Sequence, residues 1–108
     1  MVYIQVIDMQ VPEGQLNQLR QLVQDEYLVA IRDRSGFVRA DLLEQVDDLN
    51  AVKLIIYWSD QRALENLHKT GVLAGSTQSI AARMQGLRIR KQSYIVKVSV
   101  DKNDTIAV

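Results

Sequence analysis

The chain has no cysteine, one proline (Pro12), one histidine (His68), one tryptophan and one phenylalanine in 108 residues. Without cysteine there is no disulfide framework, no thiol nucleophile, no cysteine zinc site and no covalent haem attachment. One imidazole cannot build a multi-histidine metal centre. None of the 5 glycines stands in a GxGxxG or GxxxxGK pattern, which sets aside phosphate-cradling loops. The longest unbroken apolar runs are 5 residues, against about 20 needed to span a bilayer. MVYIQVIDMQV at the start lacks a basic stretch ahead of a long apolar core and does not read as a secretory leader. No membrane contact and a cytoplasmic setting follow as expectations.

What is present is ordinary in bulk and uneven in placement. Hydrophobic residues make up 47% and charged ones 24%, which suits one folded domain of this length. The domain is expected over residues 1–100, with a tail over 101–108. Thirteen basic and 13 acidic side chains cancel, yet between Glu65 and Asp101 every charge is positive: Lys69, Arg83, Arg88, Arg90, Lys91 and Lys97. The acidic residues are densest at Asp41, Glu44, Asp47 and Asp48. A neutral total with matched halves argues against nucleic acid and for charges that face one another or simply form a solvated face.

Periodicity supplies the elements. Residues 2–11 (VYIQVIDMQV) read as a strand that ends at Pro12. PEG then opens a helix running to about Arg34, with Leu16, Leu19, Leu22, Val23, Tyr27, Ala30 and Ile31 as its apolar stripe. Ser35-Gly36 is its stop. Residues 37–46 form a strand with Val38, Ala40, Leu42 and Val46 on one face. The turn DDLN leads into AVKLIIYWS, a strand with Val52, Leu54, Ile56 and Trp58 on one side and Ile55 and Tyr57 on the other. Ser59 or Asp60 caps a second helix (QRALENLHK), Gly71 interrupts it, and helix resumes from about Val72 to Met84. Gly86 closes that segment, and 87–100 form the last strand, its buried face being Tyr94, Val96, Val98 and Val100. Arg88, Arg90 and Gln92 share one face of that strand, opposite Lys91.

The order β-α-β-β-α-β is that of an α+β, ferredoxin-like fold. Right-handed crossovers put the first and third strands in the centre of a four-stranded antiparallel sheet and the second and fourth at its edges. Helices suffice for one face only, while the third strand is apolar on both. A homodimer, sheet against sheet, covers the second face. Acidic strand 2 of one copy would then meet basic strand 4 of the other.

A β-α-β-β-α-β chain whose first helix ends in Ser35-Gly36-Phe37, whose hairpin is LLEQVDDLNAVKLIIYW, and which carries Ala63-Leu64 five residues after Trp58, resembles the antibiotic-biosynthesis monooxygenase (ABM) family. The likeness spans residues 2 to about 100. It implies a dimeric α+β barrel with a pocket between the helices and the sheet of each subunit. The family includes cofactor-independent oxygenases of phenolic polyketides, haem-degrading oxygenases, quinol oxygenases and members without a known reaction. In the oxygenases the deprotonated substrate itself reduces O2, and the protein supplies a dry pocket, hydrogen bonds and sometimes a base.

By family position, Ile7, Trp58, Leu67 and Thr77 line the pocket. A pocket-facing His often follows the Ala-Leu pair by three residues; here that place holds Leu67 and the imidazole is His68, about 100° further round the helix. The haem-degrading branch has Asn, Trp and His where this chain has Ile7, Leu67 and Thr77, so that chemistry is not expected. His68 is the candidate general base, or else a half-exposed helix residue. Trp58 walls the pocket or is a core indole. Arg88, Arg90 and Gln92 form an anion site or a charge-protected edge. Two leading functions stand open, a cofactor-independent monooxygenase acting on a small aromatic or apolar substrate, and a non-catalytic dimeric module binding a small apolar ligand or a partner protein; a third, haem binding without the degradation chemistry, rests on His68 alone.

Overall fold

Alternating side chains build the sheet, and the register of its strands decides which of them face the helices. The computed structural model describes residues 2–70 and 79–103, with the backbone alone for 67–70. Its strands are β1 (Tyr3–Gln10), β2 (Phe37–Glu44), β3 (Ala51–Trp58) and β4 (Arg88–Ile95). They pair antiparallel in the order β2-β3-β1-β4, so the crossover argument places centre and edges correctly. One face carries the buried side chains Gln5, Ile7 and Met9 of β1 and Val52, Leu54, Ile56 and Trp58 of β3. Ile55 and Tyr57 point to the other, open face, in the parity read from the sequence.

The first helix is shorter than its stripe suggests, and it is not uniform. It comprises α1 (Leu16–Leu22), a π segment (Val23–Tyr27) and α2 (Leu28–Ile31). Pro12 does not start it. The Gln15 amide donates to the Pro12 carbonyl at 3.1 Å and Gly14 sits at φ +80°, so PEG closes a turn before the helix begins. At the far end the Arg34 amide turns back to the Ile31 carbonyl at 3.1 Å, and Gly36 at φ +88° takes the chain into β2. The wider π turn keeps Val23 and Tyr27 both buried.

α3 (Gln61–Thr70) starts where expected, with Asp60 as its cap: Oδ1 accepts from the Ala63 amide at 2.7 Å. A helical stretch over 79–83 leads to Met84, and Gly86 at φ +90° ends it. The interruption expected at Gly71 lies outside the described residues. Leu19, Val23, Tyr27 and Ile31 from the first helix, with Leu64, Ile80 and Met84, close over the sheet in one core.

Two strand readings are corrected. A bulge between Phe37 and Arg39 turns Val38 outward, and Val46 lies past the end of β2, so both are exposed while Ala40 and Leu42 keep the helix-facing side. β4 stops at Ile95 because its neighbour β1 begins at Tyr3, opposite it; one further bond, Val96 amide to Val2 carbonyl, ends the ladder. Tyr94, Val98 and Val100 are exposed in the single chain, not buried. The helix-facing residues of β4 are instead Ile89, Lys91, Ser93 and Ile95, opposite Met9, Ile7, Gln5 and Tyr3.

Candidate functional site

The layer between helices and sheet is apolar with three interruptions. Gln5 of β1, Tyr27 of the π segment and Trp58 of β3 are each fully buried. Among the described residues, neither the amide nitrogen nor the amide oxygen of Gln5, nor the Tyr27 hydroxyl, nor Trp58 Nε1, finds a hydrogen-bond partner. Buried polar groups are nearly always satisfied, and each one left unmade costs about 1–3 kcal/mol. Four such atoms in one layer of a small domain is a concentration that packing alone does not account for.

Register places two of the three side by side. Gln5 is opposite Ile56, and Trp58 is opposite Tyr3, so Gln5 and Trp58 are diagonal neighbours on the helix face of adjacent central strands. Trp58 is held edge-on by the Phe37 ring, centroids 5.8 Å apart at 82°. Phe37 follows Gly36, whose missing side chain leaves room for Ala63 of α3; a Cβ there would collide with Ala63 Cβ. Ser-Gly-Phe, Trp58 and the Ala-Leu pair thus form one packed corner, which is the physical content of the motif. Tyr27 borders a small hollow lined by Ile7, Met9, Val23, Leu54, Ile80 and Ile89, of about 10 Å³, enough for one water. Burial pushes the Tyr27 phenol above its ordinary value of 10.0, so it remains a neutral hydrogen-bonding group at physiological pH.

Of the residues named from the sequence, Ile7 and Trp58 lie in this layer, 1% and 0% exposed. His68 and Leu67 belong to α3 by their backbone; their side chains, and Thr77 as a whole, lie outside the described residues. Sequence reasoning missed Gln5, although it is the one polar residue among Tyr3, Gln5, Ile7 and Met9 at alternate positions of β1. That break in an otherwise apolar face was the available signal. It counted Tyr27 as part of an apolar stripe and left its hydroxyl out. Lys91 shares the helix face at the sheet's edge, where partial desolvation lowers its ammonium pKa. Among the described residues no group of three His, Asp or Glu side chains gathers as a metal site, and no helix is long and apolar enough to cross a membrane.

The open face is different in kind. A hollow of about 650 Å³ lies there where β1 ends and β4 begins, bordered by Leu43, Lys53, Asp8, Arg88 and Arg90. Lys53 Nζ is 3.4 Å from Asp8, and the Gln92 amide bridges Arg90 and the Tyr94 hydroxyl. Arg39 lies over the Tyr57 ring at 4.8 Å and pairs with Asp41 at 2.6 Å. Glu44, on the helix side of β2, takes a two-pronged contact from Arg20 at 2.7 and 2.9 Å, which lowers its carboxyl pKa. Two of the four acidic residues expected to meet a second copy, Asp41 and Glu44, are therefore paired within the chain. The parity of Arg88, Arg90 and Gln92 on this face, against Lys91 on the other, is as read from the sequence.

Comparison with known proteins agrees with this architecture. The chain superposes on SnoaB, a cofactor-independent oxygenase from Streptomyces nogalater, with a TM-score of 0.77 at 16% identity, covering 94% of this chain and 98% of that one. A Deinococcus radiodurans protein proposed to be an antibiotic biosynthesis monooxygenase gives 0.72 at 19% identity, covering 94% and 97%. A conserved protein of Methanosarcina mazei Go1 gives 0.68 at 12%, covering 87% and 92%. At these identities the likeness is one of fold. No curated protein matches the sequence. The family model for antibiotic biosynthesis monooxygenase matches residues 2–73, well over half of the chain, and the chain belongs to that family.

Proposed function

We propose that the protein is a cofactor-independent monooxygenase acting on a small aromatic substrate held between the helices and the sheet. One observation carries this reading: the buried, unpartnered amide, hydroxyl and indole N–H of Gln5, Tyr27 and Trp58 in an otherwise apolar layer. Such a layer excludes water and still offers hydrogen bonds to a substrate oxygen, which is what an enolate or phenolate needs if it is to be formed and oxidised in place.

In this reaction an activated ring methylene loses a proton to a base, for which His68 is the candidate. The resulting anion passes one electron to O2, and the two radicals combine as a hydroperoxide. Loss of water leaves a carbonyl, so that one methylene and one O2 become one carbonyl and one water, and the substrate supplies all four electrons. Neither metal nor flavin is called for. The test is oxygen uptake with a panel of phenols and quinols. His68→Ala should lower the rate by about 10²-fold or more with the fold intact. Unchanged turnover removes His68 from the reaction, and no uptake by the native protein across the panel sinks the oxygenase reading.

The lining of the hollow beside Tyr27, which is otherwise Ile, Leu, Val and Met, favours a second reading, a module that binds a small apolar ligand or a partner protein without chemistry. In either case we propose a cytoplasmic homodimer formed through the open face. Ile4, Val6 and Ile55 lie there half-buried beside exposed Tyr94, and none of the described helices covers them.

A further inference from the structure

We propose that the hollow at one end of the open face binds a small organic carboxylate, its charged group on Arg88 and Arg90 and its apolar body against Leu43, Val46 and Ala51. The hollow lies on the opposite side of the sheet from the layer that holds Trp58, so this site does not rest on the oxygenase reading.

The charges around the hollow do not cancel. Among the described residues two acidic side chains border it, Asp8 and Glu44, and each already has a cation. Lys53 Nζ lies 3.4 Å from Asp8, and Arg20 Nε lies 2.7 Å from Glu44. Arg88 and Arg90 are left over, and neither has a described carboxylate within ion-pair distance. By register Arg88 stands opposite Gln10 and Arg90 opposite Asp8, both on the open face. What holds Arg90 is neutral. The Gln92 amide oxygen accepts from its Nε and Nη2 at 3.2 and 3.0 Å, while the amide nitrogen donates to the Tyr94 hydroxyl. The guanidinium is thereby oriented without its charge being cancelled.

Size and lining select the kind of anion. A volume of about 650 Å³ is that of a small-molecule site. Arg88 and Arg90 are two residues apart on one strand face, about 7 Å, so both guanidinium forks reach one carboxylate. Among the described residues no Gly, Ser or Thr borders the hollow, so it lacks the loop of free backbone N–H groups on which phosphate sites are built. Leu43, Val46 and Ala51 offer an apolar wall that a bare ion would leave wet. Ile4, Val6 and Ile55, the apolar residues of the proposed dimer contact, lie further along β1 and β3, so the contact and the hollow occupy different stretches of the face.

The experiment is calorimetric titration of the full chain at low salt and without oxygen, with naphthoate, its neutral amide naphthamide, and acetate as the probes. Naphthoate should bind ~10-fold or more tighter than either, because it alone has both the charge and the apolar body. Arg88→Gln and Arg90→Gln should each lower its affinity by ~5-fold or more, toward that of naphthamide. Lys97→Gln removes the same charge outside the hollow and should change the affinity by less than about 2-fold. All three residues are exposed, so the variants should fold. No binding of naphthoate, or equal binding of naphthoate and naphthamide, overturns the proposal. An equal loss in Lys97→Gln would mean a diffuse positive field and no site. Affinity untouched by the arginine variants would put naphthoate elsewhere, the helix-facing layer included, and also overturns it. If naphthoate binds only when Asp47→Asn and Asp48→Asn are combined, the acidic turn of a second copy occupies the arginines and the carboxylate site falls. Heat of binding is read, not turnover, so an absent oxygenase activity leaves a positive result standing, and a negative result leaves the oxygenase reading standing.

Discussion

Tyr27 shows how one atom separates stability from use. Its ring completes the core beneath the π segment, but its hydroxyl is buried with no partner and its phenol pKa lies above the ordinary value of 10.0. The folded protein keeps the phenolic proton where the unfolded chain releases it. As pH rises past about 10 the unfolded state therefore binds fewer protons than the folded state, and stability falls. Tyr27→Phe removes both the orphaned hydroxyl and this alkaline loss. Its thermal midpoint should be higher at neutral pH and decline less steeply above pH 10 in a calorimetric series. Lys91 acts in the opposite sense below its ordinary value of 10.5, because its lowered pKa favours the neutral amine in the fold. It is common to both proteins, so the difference between them reports Tyr27 alone. A variant curve parallel to the native one would contradict the assignment.

At the scale of elements, the joint between β2, β3 and α3 positions the buried Trp58. Asp60 fixes the start of α3, the Ser59 amide donates to the Gly36 carbonyl at 2.8 Å, and Ala63 packs where Gly36 has no Cβ. Gly36 also holds φ +88°, a conformation that side-chain-bearing residues resist. Gly36→Ala is therefore both strained and overpacked, and it should destabilise the protein by about 2–4 kcal/mol in urea unfolding. Gly14→Ala is a useful control. It carries a comparable positive φ, +80°, but nothing lies within 4 Å of its missing Cβ, so only the backbone part of the cost should appear. Equal losses in the two variants would mean that the contact with Ala63 contributes nothing.

The whole molecule has one face covered by helices and one left open. The open face mixes Ile4, Val6 and Ile55 with ion pairs and an arginine stacked on Tyr57. If two copies meet through it, sedimentation at micromolar concentration should show a dimer, with at least ~1,600 Å² buried in total. Ile55→Asp should dissociate it or prevent folding. A native monomer would refute the homodimer. With Asp41 and Glu44 engaged inside the chain, Asp47 and Asp48 remain as the acidic residues available to Arg88 and Arg90 of a second copy. Exposed pairs of that kind contribute about 0–1 kcal/mol and act on register more than on affinity.

Local pattern determined most of this fold because its causes are local. Alternation in VYIQVIDMQV and AVKLIIYW, the stripe from Leu16 to Ile31, Asp60 as a cap and the stops at Gly36 and Gly86 each act over a few residues. Their order leaves few topologies once crossovers are right-handed. What the sequence could not disclose depends on partners distant along the chain. The bulge that turns Val38 outward is set by pairing with β3, and the end of β4 at Ile95 is set by where β1 begins. The same holds for the site. The burial of Ile7 in the helix-facing layer agrees with its family position, and that of Trp58 with its family position and its strand parity. That Gln5, Tyr27 and Trp58 share one dry layer without hydrogen bonds was decided only by tertiary packing, since whether a polar atom is satisfied depends on what the rest of the chain brings against it.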